Sequence, residues 1–146
     1  MNFKKIILIG IICFIISNFF IKICVIHGES MYPTLKNNQL TLENLIFNSY
    51  NRGDIVVIKK ENLKIVKRIV ALPYDKIVIK DNYVYVNNKK IDNIITKNSG
   101  IIKKEITLKK NEYFVLGDNR NKSVDSRNKK IGIIKKNDIQ GKILTF

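Results

Sequence analysis

Cysteine, histidine, proline and acidic residues are all scarce in this chain, and each shortage excludes a class of protein. Of 146 residues, two are Cys, one is His, two are Pro and 12 are Asp or Glu, against 27 Lys and Arg. One histidine with scattered carboxylates makes no metal-ligand cluster, so neither a metal nor a cofactor is expected. Both cysteines, Cys13 and Cys24, fall inside a single apolar run, where they can neither staple a folded domain nor offer it a nucleophile. Core packing must then hold the fold. Two prolines exclude a proline-rich linker, and the chain has no repeat and no low-complexity tail. The shortage of acids leaves a formal net charge of +15, which attracts anionic lipid or nucleic acid. The lysines are scattered among Ile and Asn, with no basic helix and no RNA-binding signature, so membrane lipid and not nucleic acid is the expected partner.

The apolar run itself has membrane length. From Ile6 to Ile26 no charge occurs until Lys22. As a helix these residues cover roughly 31 Å, against a hydrocarbon core of about 30 Å. Lys22 lies near the distal end, where its stem can follow the helix and its amine can reach the headgroups. Lys4 and Lys5 precede the run, as in a secretory signal peptide, but residues 21–26 contain no small-x-small cleavage site, so an uncleaved anchor is expected. The same two lysines favour a cytoplasmic N-terminus. The expected organisation is a cytoplasmic tail over 1–5, a transmembrane helix over 6–26 and one extracytoplasmic domain over 27–146. Those last residues suffice for one compact domain and are too few for two.

Past the run the hydrophobic period is two. Gln39 to Glu43, Asp54 to Lys59, Leu63 to Ala71, Lys76 to Lys80, Tyr83 to Val86, Glu105 to Lys109 and Tyr113 to Leu116 read as short strands. Asn and Gly residues between them supply turns. The fold class is mainly β, with a curled sheet or partly closed barrel expected because a flat sheet would expose long edges.

Three segments carry candidate chemistry. Gly28-Glu-Ser-Met-Tyr-Pro-Thr-Leu35 offers Ser30 as a nucleophile four residues after the apolar run, close to a membrane interface. In the strand Leu63 to Ala71, alternate residues Leu63, Ile65, Lys67, Ile69 and Ala71 share a face, and Lys67 is its one polar member. Such a lysine either snorkels from an edge or is desolvated, and desolvation lowers its pKa toward the free amine that a general base needs. The third segment, Gly117 to Arg127, is a polar loop whose Asp and Arg residues can pair into a rigid support. His27 lies three residues from Ser30 but has no acidic partner to orient it as a base.

Taken together and in this order, the segments resemble type I signal peptidases of the small Gram-positive kind, and the resemblance covers nearly the whole chain. It implies Ser30 as nucleophile, Lys67 in Val66-Lys-Arg-Ile-Val-Ala-Leu-Pro73 as general base, and Gly28 beside the oxyanion hole. It further implies that Ser123 orients Lys67, while Asp118, Asn119, Arg120, Asp125, Ser126 and Arg127 brace the loop. Arg52-Gly-Asp-Ile-Val-Val57 resembles the strand that lines the substrate groove, which assigns Met31, Asp54, Ile55, Val56, Val57 and Ile58 to that groove. Gly132-Ile-Ile through Lys142 resembles the closing strands. The implied activity is that of a membrane-bound serine endopeptidase which removes signal peptides from exported preproteins after small residues, near the export machinery. A specialist that matures one cargo and a catalytically silent, membrane-anchored module are the alternatives. One departure concerns Leu72-Pro73-Tyr74-Asp75, where Tyr74 stands in place of a glycine and would be strained at any positive φ.

Overall fold

The apolar N-terminal run folds as two elements. In the computed structural model, which describes residues 3–46, 49–96, 100, 102 and 104–145 (only the backbone for 12–19), helix α1 spans Phe3–Phe20 and strand β1 spans Ile21–Val25. The expected helix over 6–26 therefore ends early. Ile21-Lys-Ile-Cys-Val is rich in β-branched residues, and an apolar run this short is equally legible as strand. Here it pairs antiparallel with β2, Leu40–Asn44, with Cys24 opposite Thr41. Cys24 is buried in the domain and its carbonyl accepts the Thr41 hydroxyl at 3.2 Å, so this cysteine belongs to the folded domain and not to a membrane span. Cys13's side chain, like Met1 and Asn2 of the expected tail, lies outside the described residues. Among the described residues no helix is long and apolar enough to cross a membrane.

The remaining strands are β3 (Ile55–Lys60), β4 (Leu63–Ala71), β5 (Lys76–Lys80), β6 (Tyr83–Val86), β7 (Lys89–Lys90), β8 (Ile106–Thr107), β9 (Glu112–Leu116), β10 (Ile134–Lys135) and β11 (Ile139–Leu144). They form a seven-stranded sheet in the order β1-β2-β11-β3-β4-β9-β10 and a four-stranded sheet in the order β7-β6-β5-β8. The fold is mainly β, as expected. Among the described residues no barrel closes, because β1 and β10 end the larger sheet without pairing to each other. The C-terminal strand β11 inserts between β2 and β3, antiparallel to both.

Alternation explains the core. On β3, Val56 and Ile58 pack with Ile69, Tyr113, Val115 and Ile134, while Ile55 and Val57 pack with Cys24, Met31, Leu35 and Ile143 on the opposite face. A strand apolar on both faces is one covered on both faces. On β9, Phe114 and Leu116 turn instead toward Ile77, Ile79, Val84 and Val86 of the smaller sheet and join the two sheets through one cluster. The single face expected along β4 breaks at its ends. Leu63 is exposed, and a register shift between Ile69 and Ala71 hands Ala71 to the cluster shared with the smaller sheet.

Tyr74 adopts φ 71° in the turn after β4 and is 66% exposed. Asp75 fixes that turn: its carboxylate accepts the Leu72 N–H at 2.7 Å, the Arg52 guanidinium at 2.7 Å and the Asn87 amide at 2.6 Å. A left-handed residue with a Cβ costs roughly 1–2 kcal/mol, and little side-chain burial offsets it here. Tyr74→Gly is expected to raise stability by about 1 kcal/mol, or about 3–5 °C in thermal unfolding. A lower melting temperature in calorimetry would show that the ring contributes more than the backbone loses.

Candidate active site

Ser30 sits in the loop that follows β1. Gly28 takes φ 86° there, a conformation that favours glycine, and its N–H donates to Asn37 Oδ1 at 2.8 Å. Met31 is 1% exposed and plugs the loop into the core, so the neighbouring serine is presented at the surface of a packed cluster. From β4 comes Lys67, 4% exposed, whose Nζ donates to Ser30 Oγ at 2.7 Å and to the Val66 carbonyl at 2.9 Å. Burial drives the Lys67 amine down from its ordinary value of 10.5 to about 8, against the opposing charges of Asp125 and Asp118. A lysine so placed is partly neutral near physiological pH and can take a proton from the hydroxyl it touches.

The loop from Gly117 to Arg127 holds this pair in place. Asn119 N–H donates to the Ser30 carbonyl at 3.0 Å. A Cβ added to Gly117 would lie 2.5 Å from that same carbonyl oxygen and would overlap Ser123, so only glycine allows the loop to approach. Asp125 is 1% exposed and accepts Arg127 Nε at 2.7 Å and Nη2 at 2.8 Å, with the Gly117 N–H at 3.0 Å. Ser126 Oγ accepts the Val115 N–H at 3.1 Å and ties the loop to β9. Arg68, the residue after the lysine, grips Asp118 through two bonds of 2.8 and 2.7 Å. Successive residues of one strand thus serve two tasks: Lys67 faces the serine and Arg68 fixes the loop behind it. Ser123 Oγ is buried without a hydrogen-bond partner, so the bond expected between Ser123 and Lys67 is not formed.

A cleft of about 590 Å³ opens beside Ser30 and Lys67, walled by residues 23–31 on one side and 64–67 on the other. Each wall includes a strand edge, β1 up to Val25 on one side and β4 on the other. Among the described residues β1 pairs only with β2, and the first half of β4 pairs only with β3, because β9 begins its pairing at Arg68. Met31 and His27 line this cleft, while Ser30 takes its bond from Lys67. The rest of the expected groove does not. Ile55, Val56, Val57 and Ile58 are at most 3% exposed on a strand paired along both edges, and Asp54 is bound to Lys142 Nζ at 2.5 Å. Insertion of β11 occupies the edge that a peptide would need. At the rim, Lys122 and Glu29 form an exposed ion pair of 2.6 Å, which contributes little to stability.

Two features of the site leave no signal in the sequence. The β1 edge was hidden inside the apolar run, and Asp92, which receives the Arg120 guanidinium, lies in no motif.

A serine held by a desolvated lysine, at an open cleft of a mainly β domain, is the arrangement of a serine hydrolase. A family profile described as "Signal peptidase, peptidase S26" matches residues 1–146. Signal peptidase I S of Bacillus subtilis (strain 168) is 35% identical over 153 residues, covering 94% of this chain and 83% of that protein. Signal peptidase I U of the same strain is 37% identical over 152 residues, covering 94% and 81%. A solved signal peptidase I from Enterococcus faecalis V583, 24% identical, shares the fold with a TM-score of 0.51, covering 66% of this chain and 97% of that one. The chain belongs to the signal peptidase family, peptidase S26. Its activity is accordingly that of a serine endopeptidase acting in signal peptide removal.

Proposed function

We propose that this chain cleaves exported preproteins after small residues of the Ala-x-Ala type, through an acyl-enzyme formed on Ser30 with Lys67 as base. The 2.7 Å contact between Lys67 Nζ and Ser30 Oγ, made by a buried lysine, carries this reading. Neutral Lys67 takes the Ser30 proton, and Ser30 Oγ attacks the scissile carbonyl. The Ser30 N–H stabilises the oxyanion, and Lys67 returns its proton to the leaving amine. Lys67 then deprotonates the water that releases the signal peptide.

An extended signal-peptide end would add as a strand between the free edges of β1 and β4, with its main chain bonded on both sides and alternate side chains entering the cleft. Shallow apolar walls such as Ile23, Ile65 and Val66 favour small residues there. Helix α1 would hold the enzyme to the membrane with the N-terminus cytoplasmic, close to lipid and to the export machinery. Phe3, Ile6, Ile7, Leu8, Ile9, Ile11 and Phe20 are 40–74% exposed, more apolar surface than water tolerates on one helix. Lys4 and Lys5 would lie on the cytoplasmic side.

Full-length protein in liposomes, given a preprotein with an Ala-x-Ala site, is expected to cut after the second alanine, as read by mass spectrometry. Leucine in place of either alanine should lower kcat/KM about a hundredfold. Cleavage elsewhere, or indifference to leucine, would overturn the specificity.

A further inference from the structure

Arg120 is the junction of the loop that supports the nucleophile. Its guanidinium is 4% exposed; Nε donates to the Gly117 carbonyl at 3.2 Å, and its own carbonyl accepts Arg127 Nη2 at 2.6 Å. The partner for its charge comes from outside the motifs. Nη1 donates to Asp92 Oδ1 at 3.3 Å and Nη2 donates to Asp92 Oδ2. Asp92 is itself fixed to the smaller sheet: the Ile91 N–H bonds to the Val84 carbonyl at 3.1 Å, and the Ile94 N–H bonds to Asp92 Oδ1 at 2.9 Å.

A guanidinium this buried needs its carboxylate, because an uncompensated charge leaves the interior or drags its surroundings with it. The surroundings here are Gly117, which packs against both the Ser30 carbonyl and Ser123, and Asn119, whose N–H bonds that carbonyl. Asp92 is absent from the walls of the substrate cleft and lines a separate pocket with Thr34, Arg68 and Asp118, so it touches neither Ser30 nor Lys67 and its hydrogen-bonded route to them runs through Arg120 and the loop.

We infer that Asp92 is a positioning residue for the peptidase reaction: through Arg120 it ties the smaller sheet to the loop that sets the Ser30 peptide. This rests on the proposed Ser30/Lys67 mechanism. It predicts a loss in kcat with substrate binding unchanged, since the edges of β1 and β4 keep their places.

The test compares full-length wild type, Asp92→Asn, Asp92→Glu, Arg120→Met and the Asn/Met double variant on the Ala-x-Ala preprotein, with hydrogen exchange followed over residues 117–127. Asp92→Asn is expected to lose about tenfold to a hundredfold in kcat with KM within about twofold. Asp92→Glu keeps the charge but shifts it by one methylene, and should lose about threefold. The double variant should be no worse than Arg120→Met alone, because both changes break one link. Exchange over 117–127 should quicken in Asp92→Asn by more than exchange over β3 and β4, measured at a temperature where every variant is folded. Wild-type kcat in folded Asp92→Asn, losses that add in the double variant, or unaltered loop exchange would each overturn the inference. If only Asp92→Glu folds, wild-type kcat and exchange in that variant overturn it equally. An inactive wild type would instead count against the mechanism on which the inference rests.

Discussion

Methionine at position 67 should give a protein that folds, fails to cleave and is more stable than wild type at neutral pH. The activity loss is expected to be about 10⁴-fold in kcat/KM, because removing the base leaves Ser30 with no acceptor for its proton. Lys67→Arg should be as inactive, since guanidinium stays charged across the working range. The stability gain follows from the pKa. A buried amine lowered from 10.5 to about 8 is one whose protonated form the fold disfavours. Below about pH 8 that cost is on the order of 3 kcal/mol, from which the lost bonds to Ser30 and the Val66 carbonyl subtract, leaving a net gain of about 1–3 kcal/mol.

The sign of the pH dependence is fixed by the same shift. Between about pH 8 and 10.5 the unfolded chain binds more protons at this site than the folded one, so this site makes wild-type stability rise with pH across that window. The methionine variant should lack the rise. Cleavage should fall away on the acidic side of about pH 8 as Lys67 protonates. Denaturation curves and kcat/KM between pH 6 and 11, for wild type and Lys67→Met, read both effects. A cleaving methionine variant would remove Lys67 from the mechanism.

Gly117→Ala should be the most damaging change outside the dyad. No positive φ demands glycine there; the demand is for space, since a methyl would lie 2.5 Å from the Ser30 carbonyl oxygen and inside Ser123. Neither neighbour is the far end of a flexible chain. Either the loop retreats and Asn119 releases the Ser30 carbonyl, or the nucleophile segment shifts over Met31. Overpacking of this kind costs about 1–3 kcal/mol, and an ångström of displacement at a nucleophile costs about a hundredfold in rate. Thermal unfolding and kcat measured on the alanine variant check both figures. Wild-type kcat would mean that the loop does not set the serine.

Local chemistry was legible in the sequence and long-range order was not. Lys67 could be singled out because a period of two places it among Ile65 and Ile69, and the Asp-Arg density of residues 117–127 announced a rigid loop. The division of the apolar run at Phe20 escaped notice because Ile21 to Val25 suits a helix in lipid as well as a strand in a sheet. The groove on β3 rests on the resemblance of Arg52 to Val57 to a groove strand, and nothing local there reveals that β11, more than 70 residues later, returns to cover that strand's edge. Asp92 was invisible for the same reason: its partner lies 28 residues away, in another sheet's loop.

The two unpaired edges have a further consequence. A gap bounded by bare N–H and C=O groups is adhesive to any extended chain, including its own opposite wall and another copy of the enzyme. β1 carries Lys22 and β4 carries Lys64, both exposed. Charge on an open strand discourages edge-to-edge stacking of one molecule on another, and Lys64 keeps this role on the cleft wall even while it reaches Glu43 at 3.7 Å, which leaves the slot to an incoming chain.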